Sequence, residues 1–379
     1  MHKTKIVELS EFGQSIWLDY ISRSLIEKGK LQKLIELGLM GMTSNPTIFD
    51  KAISSSNDYD EHISELYKKG KSTFEIYDIL TVRDVQDAAD ILLPVYKETE
   101  GLDGYVSLEV NPTLAYKPKE TIKEAKRLYQ RVDRPNVMFK VPATSEGFGA
   151  IEALLASGIN INATLIFSLE QYTHTVNAYM QGLRRFLEKA KDATDLRSVA
   201  SVFVSRIDTL VDRLLEERIA PERDERKIEK LAALKGKAAV NNCSLIYKKY
   251  LDIFSSEEFR HLAEKGVHIQ RVLWGSTSTK NFAYSDIKYV NELIGKNTVN
   301  TMPQSTFEAF LDHGEVKETL TSDVKDAEAV IGNLKELGID IDKVCAKLLE
   351  DGVVAFQKSF ISLLKGIEIK VKKLSEVSL

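Results

Sequence analysis

Lys140 stands in the run Val137-Met138-Phe139-Lys140-Val141-Pro142-Ala143, with apolar neighbours on both sides. A lysine in such a setting is rarely buried without a partner. Burial favours its neutral amine, the form that attacks a carbonyl. Two carboxylates occupy comparable runs, Glu109 in Val106-Ser107-Leu108-Glu109-Val110 and Asp19 in Ser15-Ile16-Trp17-Leu18-Asp19-Tyr20. Side chains alternate across a strand, so parity sorts each run into two faces. Lys140 shares a face with Met138 and Pro142, Glu109 with Ser107, and Asp19 with Trp17. Asn162 falls with Asn160 and Thr164, Ser201 with Phe203 and Ser205, and Asn45 with Thr43. The opposite faces, such as Val137, Phe139 and Val141, are apolar and suit a covering layer of helices. Lys140, Glu109, Asp19, Asn45, Asn162, Thr164 and Ser201 would then converge in one interior, costly unless they bond to each other or to a ligand. Two accounts stand on this pattern. One is a structural network containing a buried Lys140–Glu109 ion pair; the other is an amine nucleophile served by two carboxylates.

The elements that must position these residues are short β-rich runs alternating with helical patterns. Strands are predicted at 15–20, 41–45, 105–110, 137–143, 160–166, 199–206, 271–277 and 299–304. Between them lie helix-like spacings, as at Ile122, Ala125, Leu128 and Tyr129 in 119–131, and at 147–156. Such alternation implies right-handed βαβ units with parallel strands, and eight units point to an α/β (β/α)8 barrel with additional helices. An open doubly wound sheet is the alternative. A structural barrel lumen is filled mainly by Val, Ile and Leu, which makes the polar parity here unusual. Residues 1–379 are expected to form a single barrel domain with helical insertions near 46–104 and 207–270. The first should hold helices including 61–69 and 83–98. The second carries a charged stretch at 216–230, read as a solvated helix face, and a helix at 238–252. Residues 342–375 read as a helix with a Lys-rich end.

The 379 residues carry a net charge of −4 with both signs interleaved, which argues against nucleic acid as a main partner. A local phosphate site needs only one or two cations. Cys243 and Cys345 form no CxxC pair and no disulfide framework, which suits a reducing compartment. No apolar run reaches the length of a membrane span, and the start of the chain has no signal-like apolar segment, so a cytoplasmic protein is expected. P-loop, dinucleotide, HExxH and GxSxG motifs are lacking, and His2, His62, His174, His261, His268 and His313 are scattered. His174 reads as a surface or packing residue. No metal and no cofactor are expected, and homo-oligomerisation stays open.

Over nearly the whole length the sequence resembles the transaldolase family in its longer bacterial form. The resemblance rests on WLDYISR (17–23), GMTSNPTIFDKAI (41–53), VSLEVNPTLA (106–115) and VMFKVPATSEG (137–147). It continues through GININATLIFSLEQY (158–172), VASVFVSRID (199–208), LWGSTSTKN (273–281) and NTMPQSTFEAFLDHG (300–314). It implies a class I aldolase that moves a dihydroxyacetone unit, with Lys140 forming a Schiff base at the C2 carbonyl of a ketose phosphate. Asp19 would exchange the C4 hydroxyl proton. Glu109 would serve carbinolamine formation and dehydration through a water held by Thr164. Asn45, Asn162 and Ser201 would bind the dihydroxyacetone hydroxyls, Phe203 would pack beside the imine, and Arg206, at the end of its strand, would bind phosphate. Shorter relatives carry a second phosphate arginine after the seventh strand. Here that segment is Gly275-Ser276-Thr277-Ser278-Thr279-Lys280, so either Lys280 binds phosphate or the segment is a Ser/Thr-rich turn. Pro46 and Pro142 should shape loops.

The implied reaction is the pentose-phosphate-pathway exchange of sedoheptulose 7-phosphate and glyceraldehyde 3-phosphate with erythrose 4-phosphate and fructose 6-phosphate. The alternatives are a fructose 6-phosphate aldolase releasing dihydroxyacetone, and a non-catalytic sugar-phosphate-binding barrel.

Overall fold

The computed structural model describes residues 3–377; His2 lies outside them. The strands are β1 (Gln14–Asp19), β2 (Gly41–Thr43), β3 (Val106–Glu109), β4 (Val137–Pro142), β5 (Ile161–Ile166), β6 (Ser198–Phe203), β7 (Arg271–Gly275) and β8 (Thr298–Met302). They close into one parallel barrel in sequence order, with β8 pairing back onto β1. The open-sheet alternative is thereby excluded. Closure follows from the sequence: the strands are mainly apolar on their outer faces, with buried polar exceptions such as Gln14 on β1 and Thr298 and Asn300 on β8. Each strand is followed by helices that return the chain to the same end. Val137, Phe139 and Val141 pack outward in the large apolar layer beneath the helices, as their parity requires.

The inner face is layered. At the strand N-terminal end, Trp17, Tyr105, Met138, Val199, Leu273 and Val299 fill the lumen. A buried polar plug lies with them. Arg271 donates to Ser15 Oγ at 2.8 Å, to Asp103 Oδ1 at 2.8 Å and to the Leu102 carbonyl at 2.6 Å. Asp103 also accepts from Ser15 Oγ at 2.7 Å and Trp17 Nε1 at 2.9 Å. Space for the indole comes from Gly41, where a Cβ would lie 2.7 Å from the Trp17 ring. Nothing in the sequence pattern singled out Asp103 or Arg271. Pairing brings distant residues to one level above this floor: Asp19 opposes Thr43, Glu109 opposes Lys140, and Lys140 opposes Asn162.

Several boundaries differ from the sequence expectation. β2 and β6 stop earlier than predicted, because Asn45 already N-caps the helix Pro46–Ser54 and Ser205 already opens the helix Ser205–Ile219. β7 ends at Gly275, before Ser276 with its left-handed φ of 55°. Asn45 Oδ1 accepts from Ile48 N at 3.0 Å, and Pro46 takes the first helical position, where its missing N–H costs nothing. Residues 83–98 are the C-terminal part of a longer helix, Thr73–Glu98, started by a Ser72–Glu75 capping box. The charged stretch 216–230 is not one helix face; it spans the end of Ser205–Ile219, a break, and the start of Glu225–Ala232. Pro221 and the Asp224 N-cap account for that break. The helices Ala238–Phe254, Pro118–Val132 and Ser145–Leu155 fall near their predicted ranges.

The C-terminal helix Ile341–Val377 is the longest element. Rather than extending away, it crosses the strand C-terminal end of the barrel, packing on Pro46–Ser54 and reaching β5. Thr47 and Ser359 hydroxyls meet at 2.8 Å, and Lys370 Nζ pairs with Asp60 at 2.5 Å. Among the described residues no helix is long and apolar enough to cross a membrane.

Candidate active site

Lys140 projects from β4 into the lumen and is only 4% exposed. Its Nζ donates to the Ser44 carbonyl at 3.1 Å and lies 3.6 Å from Glu109 Oε2. The second separation is an ion-pair distance, too long for a hydrogen bond. Glu109, one strand away, is equally buried, and neither carboxylate oxygen has a hydrogen-bond partner within the protein. Its environment raises the carboxyl pKa to about 7: burial disfavours the anion, and the nearby Lys140 only partly offsets this. Thr164 Oγ1, on β5, is likewise buried without a protein partner.

Asp19 ends β1 on the opposite wall. Thr43 Oγ1 donates to its Oδ1 at 2.8 Å, and the Thr43 and Thr301 hydroxyls are 2.7 Å apart. Burial raises the Asp19 pKa, against the lowering influence of Lys140, the Thr43 hydrogen bond, Lys280 and Arg206. Asn162 and Ser201 are linked: Ser201 Oγ donates to Asn162 Oδ1 at 2.6 Å, and Asn162 Nδ2 donates to Ser107 Oγ at 3.0 Å. Asn162 is therefore oriented from both ends of its amide. Asn45 Oδ1 is occupied in helix capping, so its amide nitrogen is the end left for a ligand.

These residues meet at a cavity of about 780 Å³ at the strand C-terminal end, where barrel enzymes carry their chemistry. Asp19, Asn45, Lys140, Ser201, Phe203, Arg206 and Lys280 line it, while Glu109, Asn162 and Thr164 are buried among the barrel strands. All ten residues singled out in the sequence thus lie in or beside one region. Arg206 is not at a strand end; it sits in the first turn of the helix after β6. Its guanidinium carbon lies 5.4 Å from the Phe203 ring centroid, and burial lowers its pKa. Lys280 is exposed and donates to Ser278 Oγ at 2.7 Å, while Ser276 pairs with Ser205 at 3.0 Å. His174 is exposed on its helix and away from the cavity, as read from the sequence.

Further residues line the cavity that the sequence motifs do not mark as functional. Thr43 and Thr301 share strand parity with Asp19's neighbours and could have been found that way. Thr209, Leu210 and Arg213 follow Arg206 at three, four and seven positions, one helical face. Leu348, Asp351 and Phe356 come from the C-terminal helix, whose placement over the barrel no local pattern revealed.

The family model described as Transaldolase/Fructose-6-phosphate aldolase matches residues 16–367. A transaldolase of Trichodesmium erythraeum (strain IMS101) is 46% identical over 375 residues, covering 98% of this chain and 99% of that protein. Transaldolase 2 of Nostoc sp. (strain PCC 7120) is 45% identical, with 98% and 99% covered. The transaldolase of Saccharopolyspora erythraea is 44% identical, with 95% of each chain covered. The chain belongs to the transaldolase/fructose-6-phosphate aldolase family.

Proposed function

We propose that the protein is a transaldolase acting through a Schiff base on Lys140, transferring dihydroxyacetone from a ketose phosphate to an aldose phosphate. The observation that carries this reading is a single buried amine, 3.6 Å from a carboxyl group poised to titrate near neutrality, beside an open cavity. The Lys140 amine attacks the C2 carbonyl while protonated Glu109 gives its proton to the carbonyl oxygen, and the surplus proton on the nitrogen then passes back to Glu109. Protonated Glu109 then returns a proton to the carbinolamine hydroxyl, which leaves as water, giving the iminium. A water between Glu109 and Thr164 would satisfy both orphaned groups and relay these protons.

Asp19 takes the C4 hydroxyl proton. The C3–C4 bond breaks, its electron pair moves into the iminium, and an enamine remains while the aldehyde departs. Addition to the acceptor aldehyde reverses each transfer. Asn45, Asn162 and Ser201 hold the dihydroxyacetone hydroxyls, and the latter two are already fixed by mutual hydrogen bonding. Phe203 keeps the amine's surroundings dry, and Arg206 and Lys280 hold the phosphate. Sedoheptulose 7-phosphate and fructose 6-phosphate are the donors in this scheme. The barrel and its insertions act as one domain, in the cytoplasm, consistent with two buried free thiols.

The test is a coupled assay with fructose 6-phosphate and erythrose 4-phosphate, run with and without acceptor. Acceptor-dependent turnover is expected. Equal release of free dihydroxyacetone without acceptor would make the enzyme a simple aldolase instead.

A further inference from the structure

Arg206 carries a full charge into the cavity wall, yet among the described residues its side chain makes no hydrogen bond or ion pair. The Asp19 carboxylate attracts it across the cavity, and packing must fix its orientation. One side is the Phe203 ring. The other is the C-terminal helix, which presents Leu348, Gly352 and Phe356 at four-residue spacing, all buried on the face toward the barrel. The Phe356 ring stacks edge-on against Phe203 with centroids 6.5 Å apart. One turn earlier, a Cβ on Gly352 would lie 3.4 Å from Arg206 Nη1 and 3.1 Å from Leu165 Cδ2.

Both contacts are at special places. Glycine inside a helix is unfavourable relative to alanine, so one in a 37-residue helix asks for a reason. Leu165 has a left-handed φ of 59° where the β5–β6 register slips between Ala163 and Ile166, directly after Thr164. A methyl at position 352 would crowd Leu165 and only touch the guanidinium, whereas a larger side chain such as valine would press on both together.

We propose that the C-terminal helix is the outer wall of the phosphate site and that Gly352 is a positioning residue, absent of side chain so that Arg206 keeps the orientation that grips a sugar phosphate. This rests on the assignment of Arg206 to phosphate above. Gly352 touches no substrate atom; it acts through Arg206.

The experiment compares Gly352→Ala, Gly352→Val and Arg206→Ala with the wild type. It measures the KM for fructose 6-phosphate, the inhibition constant of inorganic phosphate, and borohydride trapping of dihydroxyacetone on Lys140. Melting temperatures are recorded alongside. Weakened phosphate affinity is expected in the order alanine then valine, reaching about tenfold in Gly352→Val, the scale of one charge-assisted hydrogen bond. Dihydroxyacetone trapping should be unchanged, because that ligand lacks phosphate. In Gly352→Ala the better helix propensity of alanine opposes the crowding of Leu165, so its melting temperature should stay close to the wild type; if the valine variant does not fold, Gly352→Ser decides in its place. Wild-type phosphate affinity in the folded Gly352 variants, with Arg206→Ala impaired, would overturn the positioning role alone. Wild-type affinity in Arg206→Ala would overturn the phosphate assignment beneath it. A parallel loss of dihydroxyacetone trapping would also contradict the proposal, since it would mean the pressure acts through Leu165 and Thr164.

Discussion

Lys140, Glu109 and Asp19 sit on three different strands, far apart in the sequence, yet each is recognisable from its immediate neighbours. A charged residue between β-branched or aromatic ones has no inexpensive place in a barrel except the lumen. What neighbours could not convey was pairing. The buried Lys140–Glu109 contact, one of the two original accounts, exists at 3.6 Å, but it is compatible with chemistry rather than an alternative to it. The loose distance and the unpartnered Glu109 oxygens leave the pair free to exchange protons. Glu109 also links pH to stability. Its carboxyl is raised from 4.5 to about 7 in the fold, so between those values the native state holds a proton the unfolded chain has lost. Stability from this group is present below the unfolded pKa and is lost as pH rises toward 7. Glu109→Gln, which stays neutral, should flatten the decline in melting temperature between pH 4.5 and 7; an unaltered slope would place the pH sensitivity elsewhere. Asp19→Asn should retain the imine but slow carbon–carbon cleavage by at least about a hundredfold, the scale of lost general-base catalysis. Single-turnover trapping against steady-state turnover separates the two steps.

At the scale of elements, strand existence and order were legible because alternation is dictated by the pleat and survives in each run. Strand ends were less so. Asn45 and Ser205 look strand-like by parity but serve to open helices, and capping geometry decided between the two uses. The barrel floor was missed altogether. Asp103 precedes its strand and Arg271 begins one, and only closure brings them together. Asp103→Ala would leave Arg271 buried without its counter-ion and should cost about 3–5 kcal/mol, measured by urea unfolding. Activity in the folded fraction should persist, because the plug lies at the end of the barrel opposite the cavity. A variant of wild-type stability would show that the carbonyl and hydroxyl partners suffice for Arg271.

The whole molecule brings one feature no segment contains: the long C-terminal helix was foreseen as a helix but not as the lid of the cavity. It adds Asp351 to a mouth where Lys51, Arg206, Arg213 and Lys280 also face the opening. The chain carries net charge −4, so cations gathered at the entrance stand against the background field. Anionic substrates should therefore be drawn inward, and kcat/KM for fructose 6-phosphate should fall as ionic strength rises from about 20 to 500 mM, as the screening length shrinks to a few ångströms. A flat salt profile would mean that only direct contact with phosphate matters.

The covalent amine is the centre of this account. The most direct measurement is intact mass after incubation with fructose 6-phosphate and borohydride, followed by peptide mapping, on the wild type and on Lys140→Arg. A dihydroxyacetone-sized adduct confined to Lys140, and absent from the folded variant, is the expected result. No adduct on an active wild-type sample, or an adduct that persists in Lys140→Arg, would contradict it.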